Sequence, residues 1–578
     1  MVKWTRGRLA KYTVTVVCCA VTVLLTAFPT LLGGPLFSLE EHTYTSDGLL
    51  IVSPSGPHPI FELMQNAEAS WNSKLARASK TLAEAVIEYK QRYKRAPPLG
   101  FDKWWEYVAE HNVQLPDEYD EIYHDLEPYW GLDPVDLARS VEELGTQDDI
   151  FTVVKTSSNS GLEIVNLTVH ESDRTLRERV EAIINLTEEF GADLPPMRIQ
   201  LSARDNPRML TDWRIRDMAL SAARHGTTIQ QSHLLPVTKD GWIQACPPNS
   251  PARLDPPVLP SVDDSNPVLF NMSASKSFIV SHRAAMDPCY HPEILVSHGQ
   301  FLSHRRGPLP QQMLVPLFSH CGTLLHHDIR PPIPYGWTSG DHSEVLGDVP
   351  WSEKADERLD WRGSPTGMYA SPETLWMHAH RQRLVTLTNE IEGNTSVLRV
   401  PSDASSPVGE PLQLRMGRIN PAWMDIAFSG KPMACEEDAG TCKLMEEKFE
   451  FRKMQGRKEE GRYKFILDVD GNGWSGRFKR LVTSNALILK MSVYPEWYTS
   501  RIAEWVHYVP IQVTYTDLYD VVAFFRDHDE LAAKIAGAGK EWSQQFWRKE
   551  DMSAYLYRLL LEYARVMSVD RESMSYHG

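Results

Sequence analysis

The apolar positions of this chain change period along its length. Trp71, Leu75, Ala78, Leu82, Val86, Tyr89 and Tyr93 recur at spacings of three and four, one face of an amphipathic helix that ends before Pro97 and Pro98. "FDKWWEYVAEHNV" predicts another helix, and "TLRERVEAIINLTEEF" followed by "MRIQLSA" predicts a helix–strand unit. From "YKFILDV" onward, short apolar runs alternate with helical patterns: "ALILKMSV", then "TDLYDVVAFFRDHDELAAKIAGAGKEW", then "MSAYLYRLLLEYARVM". Strands alternating with helices imply α/β layers around a mainly parallel sheet. No internal repeat at a period of roughly 20 to 50 residues interrupts this reading. The Pro-rich stretch Cys246–Pro267 is too long for a simple connector, and "PSDASSPVGEP" from Pro401 reads as a surface insertion.

The N-terminus departs from the pattern. Lys3, Arg6, Arg8 and Lys11 precede the charge-free run "TVTVVCCAVTVLLTAFPTLLGG", which has the length of a bilayer-spanning helix. Basic residues stay cytoplasmic, so the expectation is a single-pass type II protein with a luminal body; a cleaved signal peptide is the alternative. Residues 35 to about 65 are Pro- and Gly-punctuated and are expected to form a stem. N-x-[ST] sequons at Asn166, Asn185, Asn271 and Asn394 agree with a luminal body. Cys246, Cys289, Cys321, Cys435 and Cys442 lie beyond the run, so one thiol is left over when pairs form. Cys435 and Cys442 flank "EEDAGT" and are placed to close a small loop. The net charge of −16 argues against a nucleic-acid surface, so an anionic ligand must meet a local cluster of Arg and Lys.

"FILDVDGNGWSGRFKRL" carries the most chemistry. Asp468, Asp470, Asn472 and Gly473 fit the start of a calcium loop, but the twelfth position is Lys479, where a carboxylate is needed. What remains is a strand, a Gly-rich turn and a helix start, the unit that turns backbone N–H groups toward a phosphate. Arg477 and Lys479 fall in that first turn, unfavourable beside a helix N-terminus unless an anion binds there. A tight turn without ligand is the bland reading. His326, His327 and Asp328 have the types of a metal trio, but adjacent histidines face apart in a strand. No C-x-x-C or H-E-x-x-H occurs, and no metal is expected.

"PPLGFDKWWEYVAEHNVQLPDEYDEIYHDLEPYWGL", "SARDNPRM", "DVPWSEKADERLDWRGSPTG", "HRQRL", "YKFILDVDGNGWSGRFKRL" and "EWVHYVPI" occur in this order. Together they resemble the capsule-associated-protein and protein O-glucosyltransferase superfamily, glycosyltransferase family ninety, with the first stretch closest to the fungal capsule-associated branch. The resemblance covers roughly residues 90 to 570. It implies an α/β, GT-B-like fold: two Rossmann-like domains facing a cleft, here 96–335 for the acceptor and 336–578 for the donor. These follow a tail and signal anchor at 1–34 and a stem with amphipathic helix at 35–95. It implies inverting, metal-independent transfer from a UDP-sugar, with xylose the expected sugar and glucose the nearest rival, to a glycan or glycoprotein hydroxyl. No cofactor beyond the co-substrate is implied. A non-catalytic luminal sugar-binding protein of the same fold is the other class.

Position by position, the resemblance makes Asn472, Gly473, Trp474, Ser475, Gly476 and Arg477 the UDP-contacting turn. It makes Ser364 a donor contact with Arg362 in support, Arg381 or Arg383 the cation for the diphosphate, and Tyr335 a donor-site tyrosine. Asp205 matches the base that takes the acceptor's proton; the bland alternative is that it caps the turn at Asn206–Pro207. Asp173 is a second carboxylate within possible reach of the acceptor. Animal relatives often end in a luminal retention tetrapeptide, whereas this chain ends "SMSYHG", which favours a Golgi membrane protein over a soluble one of the endoplasmic reticulum.

Overall fold

A computed structural model describes residues 41–157, 160–167, 174–264, 266–272, 275–303, 307–334 and 348–578. The expected membrane run, Tyr335 and Asp173 lie outside the described residues. Among the described residues no helix is long and apolar enough to cross a membrane.

The N-terminal half departs from expectation in two ways. β1 (Thr43–Tyr44) and β2 (Leu49–Ile51) form a hairpin, and β2 also pairs antiparallel with a strand more than two hundred residues on. With Leu50 fully buried and Ile60, Leu63 and Met64 in the core, the expected stem is, from residue 41, part of the folded body. The single amphipathic helix is two, Pro59–Arg77 and Leu82–Tyr93. Thr81 starts the second with a capping box to Glu84, which satisfies end N–H groups at the cost of continuity.

β3 (Ile150–Lys155), β4 (Glu163–Leu167) and β5 (Met197–Ser202) form a sheet of order β4-β3-β5 that is antiparallel throughout. A parallel Rossmann-like sheet was expected here. The connection between β3 and β4 is too short for the crossover that parallel pairing needs, so the chain folds back as a hairpin. Among the described residues of this half, parallel pairing appears as isolated bridges, among them Leu201 to Phe318 and Phe318 to Ile329. β6 (Ser277–Ile279) is the strand that joins β2.

The C-terminal half fits the Rossmann-like expectation. It contains β7 (Asp356–Gly363), the small antiparallel pair β8 (Asn394–Val397) and β9 (Leu412–Arg415), then β10 (Met424–Ser429), β11 (Phe451–Arg452), β12 (Tyr463–Val469), β13 (Leu487–Met491) and β14 (Val509–Pro510). Six of these make one parallel sheet of order β11-β10-β7-β12-β13-β14. β13 is buried along its whole length and β12 nearly so. Strands covered on both faces read as unbroken apolar runs, which is why these two were legible.

The last helix, Lys549–Met567, returns to the N-terminal half. Trp104 Nε1 donates to Ala554 O at 3.0 Å and Tyr563 OH to Arg198 O at 2.9 Å, and Tyr557 stacks on Phe190. The two halves are thereby tied behind the cleft. Disulfides join Cys246 to Cys289 and Cys435 to Cys442, leaving Cys321 as the buried free thiol among the described residues.

Asn166, Asn185, Asn271 and Asn394 are all exposed. If the body is luminal, endoglycosidase treatment of protein expressed in a eukaryotic secretory system is expected to increase gel mobility. Unshifted protein with all four sites unmodified would count heavily against that topology.

Candidate functional site

Two loops meet where the halves face each other. The first follows β5. Asp328 accepts from Arg208 N at 3.0 Å, Met209 N at 2.9 Å and Ser319 Oγ at 2.6 Å, and so fixes the stretch that carries Asp205. Burial pushes the Asp328 carboxyl up against those donors. His327 bonds Thr211 and His326 bonds Thr323, so the apparent metal trio is a brace. Among the described residues no cluster suited to holding a metal is found.

Asp205 itself is half-buried and ion-paired with Arg179 from the helix Arg174–Ile184. Its carbonyl accepts from the Cys321 thiol at 3.0 Å. His320, buried beside it, lies parallel to Trp474 with centroids 5.7 Å apart. Burial pushes the His320 imidazole down to about 4, so it is neutral at physiological pH.

The second loop follows β12. Both aspartates of "DVDGNG" are wholly buried. Asp468 accepts from Ser475 Oγ at 2.5 Å and Lys490 Nζ at 3.0 Å. Asp470 accepts from Val493 N at 2.8 Å, faces His298 Nε2 at 3.3 Å, and is pushed up to about 7 by burial. They brace the turn from beneath, with Ser475 serving Asp468. Asn472 Oδ1 accepts from Gly367 N at 3.0 Å, tying the turn to the loop after β7. At Gly473 an added Cβ would meet Asp205 O at 2.6 Å and Cys321 Sγ at 2.7 Å, so the two loops approach this closely only because the residue is glycine. Asn206 Nδ2 donates to Asn472 O at 2.5 Å and to Gln300 Oε1 at 3.3 Å across the same contact.

The arginines separate by role. Arg381 donates to Asp470 O at 2.8 Å, Ser364 O at 2.8 Å and Thr366 Oγ1 at 2.9 Å, at the turn. Arg383 instead donates to Val268 O, Val513 O and Thr514 O, in the core. Of the two, Arg381 is the one that lies at the turn. Burial and then the neighbouring Arg477 push Arg381 down to about 10, still charged at neutral pH. Arg477 Nη1 donates to Arg362 O at 2.7 Å, while its Nη2 is buried with no hydrogen-bond partner among the described residues. Two close guanidiniums, one with an idle N–H group, suit an anion. Ser364 Oγ lies beside them, 3.0 Å from Thr366 Oγ1. Arg362 is committed to Asp425 at 2.5 Å and to Trp361 O at 3.0 Å, so it shapes the edge of β7.

Two sequence expectations need correction. The helix after the turn, Phe478–Val482, is a single short turn, so the anion reading rests on the arginines and not on a helix dipole. Lys479 is turned into the core, where its Nζ donates to Ser543 O at 2.6 Å and burial pushes it down to about 7. Arg179, His320, Cys321 and Gln300 were not foreseen; they are remote in sequence and belong to no local pattern. Asn206 had a signal, since it stands next to Asp205.

Residues 433–575 match the model of the family described as Glycosyl transferase family 90. Among curated proteins, the chain is 27% identical over 219 residues to an O-glucosyltransferase rumi homolog of Anopheles gambiae, covering 37% of this chain and 53% of that protein. It is 28% identical over 268 residues to Protein O-glucosyltransferase 1 of Rattus norvegicus, covering 44% and 58%. It is 31% identical over 163 residues to Protein O-glucosyltransferase 3 of Homo sapiens, covering 28% and 30%. The chain thus spans little more than half the length of these relatives, or less.

Proposed function

We propose, from the match of residues 433–575 to the glycosyltransferase family 90 model and the likeness to curated O-glucosyltransferases, that the chain is a glycosyltransferase of that family and moves a sugar from a UDP-sugar to a hydroxyl of a protein or glycan with inversion. The carrying observation is the interlock of the Asp205 loop with the turn 470–477: Asn206 holds Asn472, and Gly473 lies against Asp205. A carboxylate and a two-arginine anion pocket thereby face one cleft.

In this reading Asp205 accepts the acceptor's hydroxyl proton as the oxygen attacks the anomeric carbon. The bond to UDP breaks on the opposite face, and charge grows on the diphosphate. Arg477 and Arg381 offset that charge without reorganising. Ser364 and the amides of Asn472–Arg477 orient the donor, and the His320–Trp474 pair walls the side nearest Asp205. Release of UDP by the purified chain, offered UDP-xylose, UDP-glucose, UDP-galactose and UDP-N-acetylglucosamine, tests the proposal. A chain that binds sugars yet turns over none of these donors is the lectin-like alternative.

Xylose is our first choice of sugar, from the resemblance to the capsule-associated branch. The names of the relatives favour UDP-glucose as the second reading. We also infer a luminal body held in the Golgi or endoplasmic reticulum membrane by the N-terminal run.

Asp468 spends both oxygens on Ser475 and Lys490, and Asp470 turns Oδ2 to Val493 N and toward His298 while its Oδ1 stays buried without a hydrogen-bond partner among the described residues; the commitment of Asp468 supports catalysis without a metal. Most transfer activity is therefore expected to survive EDTA. Complete loss restored by manganese would return those aspartates to a metal role.

A further inference from the structure

Away from this cleft the molecule holds a cavity of about 470 Å³. Its walls come from the helix Pro59–Arg77, from residues 120–124 and 280–286, and from the segment 490–508. Neither Asp205, Ser364, Arg381 nor the turn 472–477 lines it. Its size falls in the range of small-molecule sites.

The chemistry of the wall narrows the ligand. Every cation there has an acid beside it. Arg283 pairs with Glu121 at 2.9 Å, Lys74 with Glu118 at 3.6 Å, and Lys490 with Asp468 at 3.0 Å and Glu496 at 3.8 Å. A phosphate would have to compete with these acids, and with Glu504, whose carboxylate also lines the wall and accepts from His282 N at 3.1 Å, so an anion is not favoured. Hydrogen-bonding capacity nevertheless remains. His282 is almost fully buried; its Nδ1 bonds Tyr508 OH at 3.0 Å, while Nε2 has no partner among the described residues. The indole of Trp71 and the ring of Tyr44 add amphipathic aromatic surface to the same wall. Neutral donors and acceptors beside aromatic faces match a polyhydroxylated ring.

We propose that this cavity is a second binding site, for a neutral saccharide unit, separate from the donor cleft. It rests on the reading of the chain as a glycan-handling transferase. Lys490 gives it a route to the cleft, because this lining residue holds Asp468 through its ammonium, and Asp468 holds Ser475 of the donor turn.

The test uses the whole chain saturated with UDP and the methyl glycosides of glucose, galactose, mannose and xylose at millimolar concentration, read by saturation-transfer NMR. Ser70 is exposed and lines the cavity, so Ser70→Trp fills it without touching the cleft; Asn66→Trp is the second filling variant. At least one glycoside is expected to bind wild type and to weaken by about tenfold or more in a filling variant of unchanged melting temperature and UDP affinity. No binding of any glycoside, or equal binding by both filled variants, overturns the site. If the wild type binds glycosides here but hydrolyses no UDP-sugar, the transferase reading fails and the site stands.

Discussion

Asp205→Asn is expected to give a folded protein that binds UDP normally and transfers sugar at least about 10²–10⁴-fold more slowly. The amide keeps the size of the side chain but cannot take a proton from an attacking hydroxyl. Folding should survive for a structural reason. The loop is fixed by Asp328 through the backbone of Arg208 and Met209, and not by the Asp205 side chain. Asp205 loses only its pair with Arg179, and such partly exposed pairs are worth about 0–1 kcal/mol. If Asp205 served only to shape the turn at Pro207, the pattern would reverse, with a lower melting temperature and nearly intact activity per folded molecule. Asp328→Asn is the useful contrast, because it should lower melting temperature and activity together. Near wild-type transfer by Asp205→Asn sinks the proposed mechanism, and Asp173 is then the next carboxylate to replace.

What the sequence revealed follows from how local each feature is. β12 and β13 are buried on both faces and so appear as apolar runs. The turn between β12 and the next helix shows through its glycines, and an odd number of cysteines beyond the N-terminal run already requires a free thiol. Features made by distant segments left no such trace. β2 is too short to show a period, and its partner β6 lies far along the chain, so the hairpin read as stem. The neighbours Arg381 and Arg383 are indistinguishable as letters, yet one reaches the turn and the other the core. Lys479 looked like a phosphate ligand by position and proves to be packed against Ser543 O. The Asp205 surroundings are similar: Arg179 and His320 arrive from opposite sides of the sequence and meet only in the fold. Asp468, read from the letters as half of a metal hand with Asp470, is held by Lys490, a partner that no local motif names.

The second large effect is expected at Arg477. Arg477→Ala should raise the donor KM and lower kcat, for a combined loss of about ten- to a hundredfold, since a charge-assisted contact is worth roughly 1.5–3 kcal/mol. The fall in kcat is the informative part, because charge on the leaving diphosphate is greater in the transition state than in the bound donor. Stability should move the other way or stay still. Among the described residues Arg477 makes one hydrogen bond, leaves Nη2 idle, and sits close enough to Arg381 to lower its pKa. Removing it relieves a like-charge contact at the loss of that one bond. Activity lost without loss of melting temperature marks a residue kept for its ligand. Arg383→Ala provides the opposite signature: the buried carbonyls of Val513 and Thr514 and the part-buried one of Val268 lose their donor, so melting temperature should fall first. If Arg477→Ala and Ser364→Ala both show wild-type kinetics with every donor tested, the UDP does not lie on the turn Asn472–Arg477, and the assignment of this cleft as the donor site is wrong.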